Sequence, residues 1–378
     1  MALSETYRLV RHLHDINAES WNRLTGGHPL LRYEFLNALD HNGCAVPKTG
    51  WAPHFLLMER HGALAGAMPL YLKSHSRGEY VFDYAWANAF ARHGLDYYPK
   101  LLCAIPFTPV PGPRLLAGEH ADRVLLARKA IEIGQQNGVS SLHVLFPDAD
   151  DERALHEAGF LFRENVQFHW FNRPYASMDD FLASLSQPKR KKIRQDRKKV
   201  HEAGVSFRWL RGDSIDDATL QFFYRCYHKT YLEHGNAPYL NLAFFAELRA
   251  SMADNMVIVV AEQDGQPLAA ALNIQGEGRL YGRYWGSMGF ISGLHFETCY
   301  MQAIEYCIAE GIDVFEGGAQ GEHKLSRGML PVRTCSAHWI ADRRYASAIA
   351  DYLEQETPAV AAYMDELREH SPFKKQPA

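Results

Sequence analysis

Alternation of apolar and polar positions with a period of two marks two long hairpins in this chain, about 200 residues apart. The first, HFLLMERHGALAGAMPLYLK (54–73), places β-rich arms on either side of His61-Gly62. The second, MVIVVAEQDGQPLAAALNIQ (256–275), does the same around Asp264-Gly265. Each is followed by an aromatic strand (80–86; 279–286), a helix (122–136; 296–310) and an apolar strand entered from a glycine (139–146; 312–315). An order repeated at this distance predicts two copies of a domain, since solenoid repeats run only about 20–50 residues. A meander followed by a helix and another strand predicts an α+β fold, each copy a mixed, mostly antiparallel sheet flanked by helices. The remaining pattern gives a strand at 160–171 closing the first sheet and one at 205–210 opening the second. Helices follow at 217–233 and 242–253, then a strand at 334–340, a helix at 344–368 and a frayed tail, SPFKKQPA. The boundary is expected near 173–177, giving domains 1–175 and 176–378.

With 47% hydrophobic and 22% charged residues, the chain of 378 is an ordinary globular composition, which excludes disorder, collagen and disulfide scaffolds. Its apolar runs, such as 256–261 and 268–272, are as long as strands, whereas a spanning helix needs about 20 residues. The opening MALSETYRLVRHLHD carries acids and no apolar signal core, so a cytoplasmic protein is expected. Six scattered cysteines without a CxxC pair predict reduced thiols, with Cys299 and Cys307 packed in the core of a helix. Nineteen histidines are scattered too, and no HExxH or similar spacing occurs, so neither a metal nor a tightly bound cofactor is expected.

Charge is uneven. The net −4 argues against a nucleic-acid-binding protein as a whole, yet residues 187–211 hold ten Lys or Arg against Asp196 and Glu202, a local +8 that leaves −12 for the rest. PKRKKIRQDRKKVHEAG begins at Pro188 and stops at Gly204, which predicts one basic helix over about 188–203. Three readings compete: a solvated face, a contact to tRNA phosphates, or a contact to an anionic membrane surface at the inner membrane face. Lys189, Arg190, Lys191, Lys192 and Arg194 are the candidate polyanion-binding residues.

No GxxxxGK[ST], strand-borne GxGxxG or GxSxG is present, which excludes P-loop, Rossmann and α/β-hydrolase chemistry. The densest polar cluster is VFEGGAQGEHKLSRGMLP, where a buried strand gives way to Gly317 and Gly318, at which backbone amides can approach a bound group. Glu316, Glu322, His323, Lys324 and Arg327 follow within twelve residues. A structural turn with surface charges is the competing reading. In the first half Lys73, Asp83 and Arg114 stand beside strands and Gly or Pro turns, as an acceptor groove or as surface ion pairs. Tyr284 is a candidate ligand platform among aromatic residues that more often fill cores.

The duplicated meander, the basic KRKKIRQDRKKVHEAGV, FEGGAQGEHKLSRGMLP, PLYLKSHSRGEYVFDYAWANA (69–89) and YYPKLLCAIPFTPVPGPRLL (97–116) resemble the Fem-type aminoacyltransferases and their FemAB-like relatives. These lie within the GNAT superfamily of N-acyltransferases, and the likeness covers nearly the whole chain. It implies two tandem GNAT-like domains and transfer of an acyl or aminoacyl group to an amine of a peptide, amino acid or cell-wall precursor. The co-substrate would be acyl-CoA or aminoacyl-tRNA; the residues do not choose between them. A recognition protein that binds a peptide or peptidoglycan precursor on the same fold is the alternative. For transfer, Glu316 would serve as base or amine anchor, His323 as an alternative base, and Lys324 and Arg327 would stabilise carbonyl or phosphate oxygens.

Overall fold

A computed structural model of the chain describes residues 5–318 and 321–374. Two compact units emerge, one made of Met1–Asn165 with Arg333–Ala362, the other of Val166–Val332 with Tyr363–Ala378.

The first unit contains strands β1 (Glu5–Val10), β2 (Trp51–Pro53), β3 (Phe55–Arg60), β4 (Ala63–Met68), β5 (Leu70–Lys73), β6 (Lys100–Cys103), β7 (Leu116–Ala117) and β8 (Ser141–Leu145). Its helices are α1 (Ala18–Leu24), α2 (Tyr33–His41), α3 (Tyr84–Arg92), α4 (His120–Gln136) and α5 (Ala149–Glu157). The β3–β4 hairpin turns at His61 and Gly62, both left-handed at φ 54° and 76°, the pair of conformations that a two-residue hairpin loop requires. Leu56 and Met58 of β3, Leu101, Leu142 and Val144 pack against Leu126 and Ala130 of α4 to form the core.

The second unit holds β9 (Leu161–Phe171) from residue 166 on, α6 (Met178–Ser184), α7 (Gln187–Glu202), β10 (Val205–Arg211), α8 (Asp217–Glu233) and α9 (Leu242–Met252). Next come β11 (Met256–Gln263), β12 (Gln266–Gly276), β13 (Arg279–Ser287), α10 (Leu294–Phe296), a π-helical turn (Glu297–Met301), α11 (Gln302–Ala309) and β14 (Val314–Glu316). Strand β15 (Leu330–Ile340) and helix α12 (Arg343–Glu369) complete the chain. At Gly286 an added Cβ would lie 2.0 Å from the Cys226 carbonyl oxygen, so only glycine lets α8 cross β13 this closely.

An antiparallel four-strand ladder recurs, β1-β3-β4-β7 in one unit and β10-β11-β12-β13 in the other. The fold is α+β, with mixed, mostly antiparallel sheets flanked by helices. The fourth strand of the first ladder, however, is Leu116–Ala117 and not the expected 80–86. Residues 84–92 are helical because Trp86 and Phe90, four apart, bury one face together, and that period outweighs the aromatic β propensity.

The units also differ from two contiguous segments meeting at 175/176. Ser336–Ile340 of β15 pairs antiparallel with β8, and Ile349 and Leu353 of α12 pack with Trp86 and Phe90, which returns 333–362 to the first unit. Strand β9 does more than close the first sheet, since His169, Trp170 and Phe171 pair with β14.

Candidate functional site

Strand β14 is buried throughout, running parallel to β13 and antiparallel to β9. Its last residue, Glu316, is 4% exposed, and Arg279 donates to Glu316 Oε1 at 2.9 Å. His169 Nε2 lies 3.9 Å from the other carboxylate oxygen. Burial first, then Arg279 and Lys324, push the His169 imidazole down to about 3, so it is neutral at pH 7. Glu316, expected as base or amine anchor, is thus the buried half of an ion pair.

Beyond it the chain narrows around glycine. An added Cβ on Gly317 would lie 2.5 Å from Met329 Cε, and Gly318 takes φ 88°, a left-handed conformation that glycine adopts freely. That geometry turns the Gly318 carbonyl toward Lys324, whose Nζ donates to it at 2.7 Å. Ala319 and Gln320 lie outside the described residues. Lys324 belongs to a 3-10 turn, Glu322–Arg327, and is only 2% exposed. Burial pulls its ammonium down to about 8.

His323 remains exposed on the same turn, its Nε2 3.3 Å from the Tyr300 hydroxyl. Partial desolvation and the neighbouring Lys324 and Arg327 lower its pKa below the ordinary 6.5. Tyr300 comes from the π-helical turn, a local widening that recurs at functional sites. His295 stands beside Tyr300 with ring centroids 5.6 Å apart, and burial together with His323 and Lys324 brings it down to about 4. A cavity of about 570 Å³ opens here, lined by Trp285, Ser287, Phe290, Ile291, His295 and Phe296 among others. Arg327 is engaged on the same side: its Nη2 donates to Asp196 of α7 at 3.1 Å, and its guanidinium lies 4.3 Å from the ring centre of Phe296.

The structure thus brings Glu316, Gly317, Gly318, His323, Lys324 and Arg327 into one neighbourhood of the second unit. Tyr284 is half-buried and packs on Tyr227 of α8 at 4.9 Å between ring centres. In the first unit Arg114 is fully buried and donates to four main-chain carbonyls, those of Leu145, Gly112, Pro113 and Val110. It is a strut for the loop before β7, not the wall of a groove.

Lys73 and Asp83 do meet, in a buried charge cluster centred on Lys100, which the sequence reading missed. Lys100 Nζ donates to Glu79 and Ser76 at 2.8 Å each and to Asp83. Lys73 Nζ sits 3.6 Å over the Trp51 ring and 3.8 Å from Glu79. Burial pulls Lys73 down to about 7 and pushes Glu79 up to about 7, whereas Lys100 and His143 overcome burial to hold the Asp83 carboxyl low. Neither a surface ion pair nor an open groove describes this cluster.

The FemAB-like family, described as peptidoglycan biosynthesis/recognition, matches residues 12–375. The chain belongs to that family. No curated protein matches it. Among solved structures this FemAB-like protein is similar to FemX, at 12% identity over 89% of this chain and 98% of that one, with a TM-score of 0.56. The C-terminal domain of a putative lysylphosphatidylglycerol synthetase from Agrobacterium fabrum aligns at 9% identity over 89% and 95%, TM-score 0.55. L-PGS from Bacillus licheniformis aligns at 12% over 85% and 90%, TM-score 0.53. At these identities the likeness is one of fold.

The basic helix of the FemAB-like protein is α7, which spans the expected residues. Much of its charge is engaged locally. Arg190 donates to the Ala183 carbonyl, Lys192 pairs with Asp196, Arg194 with Asp179, Arg197 with Glu297 and Glu305, and Lys198 with Glu202. Lys191 and Lys199 are exposed and Lys189 half-exposed. Among the described residues, no helix is long and apolar enough to cross a membrane, and no group of three His, Cys, Asp or Glu is arranged to hold a metal ion.

Proposed function

We propose that this FemAB-like protein is an aminoacyltransferase that joins an activated acyl group, carried by aminoacyl-tRNA or acyl-CoA, to an amine of a peptidoglycan precursor. The observation that carries this reading is the Lys324 ammonium fixed on the Gly318 carbonyl, with His323 of the same turn set against Tyr300 of the π-helical turn beside a cavity of about 570 Å³. Family membership supports the acceptor class.

The chemistry needs a neutral amine, a proton acceptor and a charge opposite the developing oxyanion. The amine nitrogen attacks the acyl carbon, and the carbonyl pair moves onto oxygen, where Lys324 stabilises it. His323, neutral at pH 7, takes the proton that the new ammonium sheds. Collapse of the intermediate breaks the bond to the donor's oxygen or sulfur, and the leaving group recovers a proton from His323. Glu316, paired with Arg279, acts as a positioning residue for the strand end. The exposed lysines of α7 supply a cationic surface for an anionic partner.

The test is product formation, followed by mass spectrometry, from a nucleotide-linked muramyl peptide with aminoacyl-tRNA or acyl-CoA. His323→Ala should lower kcat by about 10² to 10⁴ with little change in Tm. Recognition, which the family description also includes, replaces transfer if the nucleotide-peptide raises Tm while neither donor yields product.

A further inference from the structure

The loop joining β13 to α10 holds an apolar tip in solvent. Phe290 is 93% exposed and Met288 46%, and Leu232 on α8, which lines the same depression as Met288, is 57% exposed. Large apolar side chains grouped at the surface mark a place where another apolar phase is met.

This tip is mounted rigidly. Met288 N donates to the Leu268 carbonyl at 2.8 Å, and the Ser287 hydroxyl donates to the Gly289 carbonyl. On the far side Ile291 packs into the cluster of Val200, Val205 and Leu294. Gly293, at φ 90°, presses against α7, where an added Cβ would lie 3.4 Å from Val200 Cγ2 and 3.6 Å from the Asp196 carbonyl. Phe290 is therefore left outside by a loop anchored at both ends, and one anchor is the basic helix.

The charges around the tip are cationic. Arg225 and Lys229 line the depression beneath Met288 and Leu232. The helix that anchors the loop exposes Lys191, Lys192, Arg194, Lys198 and Lys199. The nearby acids Glu233, Asp196, Glu202 and Asp179 pair with Lys229, Lys192, Lys198 and Arg194, so the surplus positive charge rests on Arg225, Lys191 and Lys199.

We propose that this face docks on an anionic lipid bilayer, with Phe290, Met288 and Leu232 inserted at the headgroup–acyl boundary and the α7 lysines held at the phosphate surface. Apolar insertion combined with a cationic patch is the pair of terms that gives reversible interfacial binding, each being weak alone. An RNA strand would match the cations and one stacked aromatic ring, but the aliphatic Met288 and Leu232 match acyl chains. Docking of this kind does not depend on the transfer chemistry.

Co-sedimentation of the full chain with phosphatidylglycerol/phosphatidylcholine vesicles, against phosphatidylcholine alone and against uncharged tRNA, tests it. The wild type should pellet with the anionic vesicles only. Phe290→Ser should weaken that partition at least about ten-fold with unchanged Tm, and Lys191→Gln with Lys199→Gln should weaken it and flatten its dependence on salt. The inference is overturned if the wild type ignores anionic vesicles at low salt, if Phe290→Ser partitions like the wild type, or if Phe290→Ser abolishes tRNA binding instead.

Discussion

Arg327 of the glycine-rich loop is held by Asp196 of the basic helix, with 3.1 Å between Nη2 and Oδ2. Asp196 also takes Lys192, so one carboxylate joins the positively charged surface to the turn that presents His323 and Lys324. The acid in the middle of a basic run is the connector between the two features that stood out separately in the sequence.

Asp196→Asn should accordingly act at a distance. Arg327 is 6% exposed and would lose its charged partner, so a loss of about 1 to 3 kcal/mol is expected in urea denaturation, together with lower kcat. Lys192→Gln, which removes only the exposed arm of the same carboxylate, should change stability by less than about 0.5 kcal/mol.

The rate should depend on pH as a bell. His323, with its pKa below 6.5, must be neutral to accept a proton, so kcat/KM rises as pH climbs through that range. Lys324 must be charged, and with a pKa of about 8 it loses its proton above that point, so the rate falls again. Lys324→Arg, which keeps its charge, should remove the falling limb, and Lys324→Ala should lower kcat/KM across the range by about 1.5 to 3 kcal/mol in transition-state free energy.

In the first unit, Lys100→Met should leave Asp83 buried without its cation and Glu79 with only Lys73 at 3.8 Å. Removing one partner from a buried ionic cluster costs about 3–5 kcal/mol, which a large fall in urea midpoint would reveal. Arg8→Ala, which breaks an exposed pair with Glu59, should move the same midpoint by less than about 1 kcal/mol.

Lys73 gives a pH signature for that cluster. Its folded pKa, about 7, lies below the ordinary 10.5. Between these values the unfolded chain holds a proton that the native chain does not, so stability rises with pH through this window. Lys324 contributes in the same sense above about 8. Lys73→Met should flatten the rise between pH 7 and 8, measured as the urea midpoint against pH.

Both hairpins were legible because each turn carries its own chemistry: His61-Gly62 and Asp264-Gly265 need left-handed backbone, and the flanking alternation sets which face is buried. The glycine-rich loop was legible for the same reason, since Gly317 and Gly318 sit where a side chain would collide or strain. What could not be read were partners distant in the chain. Arg279 on Glu316, Tyr300 on His323 and Lys100 between Glu79 and Asp83 are brought together by sheet order and helix packing, which leave no local pattern. The helix at 84–92 was missed because a run of aromatics suits both periods, and only the burial of Trp86 with Phe90 decides between them.

The late return of residues 333–362 to the first unit has a consequence in time. Strand β8 is bordered on one side by β6 and on the other by β15, and His143 meets His338 across 195 residues of sequence. At about 5–20 residues per second on a ribosome, the second border of β8 arrives roughly 10 to 40 seconds after β8 itself, whose first border, β6, is already made. Throughout that interval the nascent chain offers an open strand edge, the surface most prone to pairing with the wrong neighbour. A nascent chain of this protein is therefore a stronger client for a chaperone than the finished one, and slowing synthesis before residue 333 would lengthen the exposure rather than help the first unit fold.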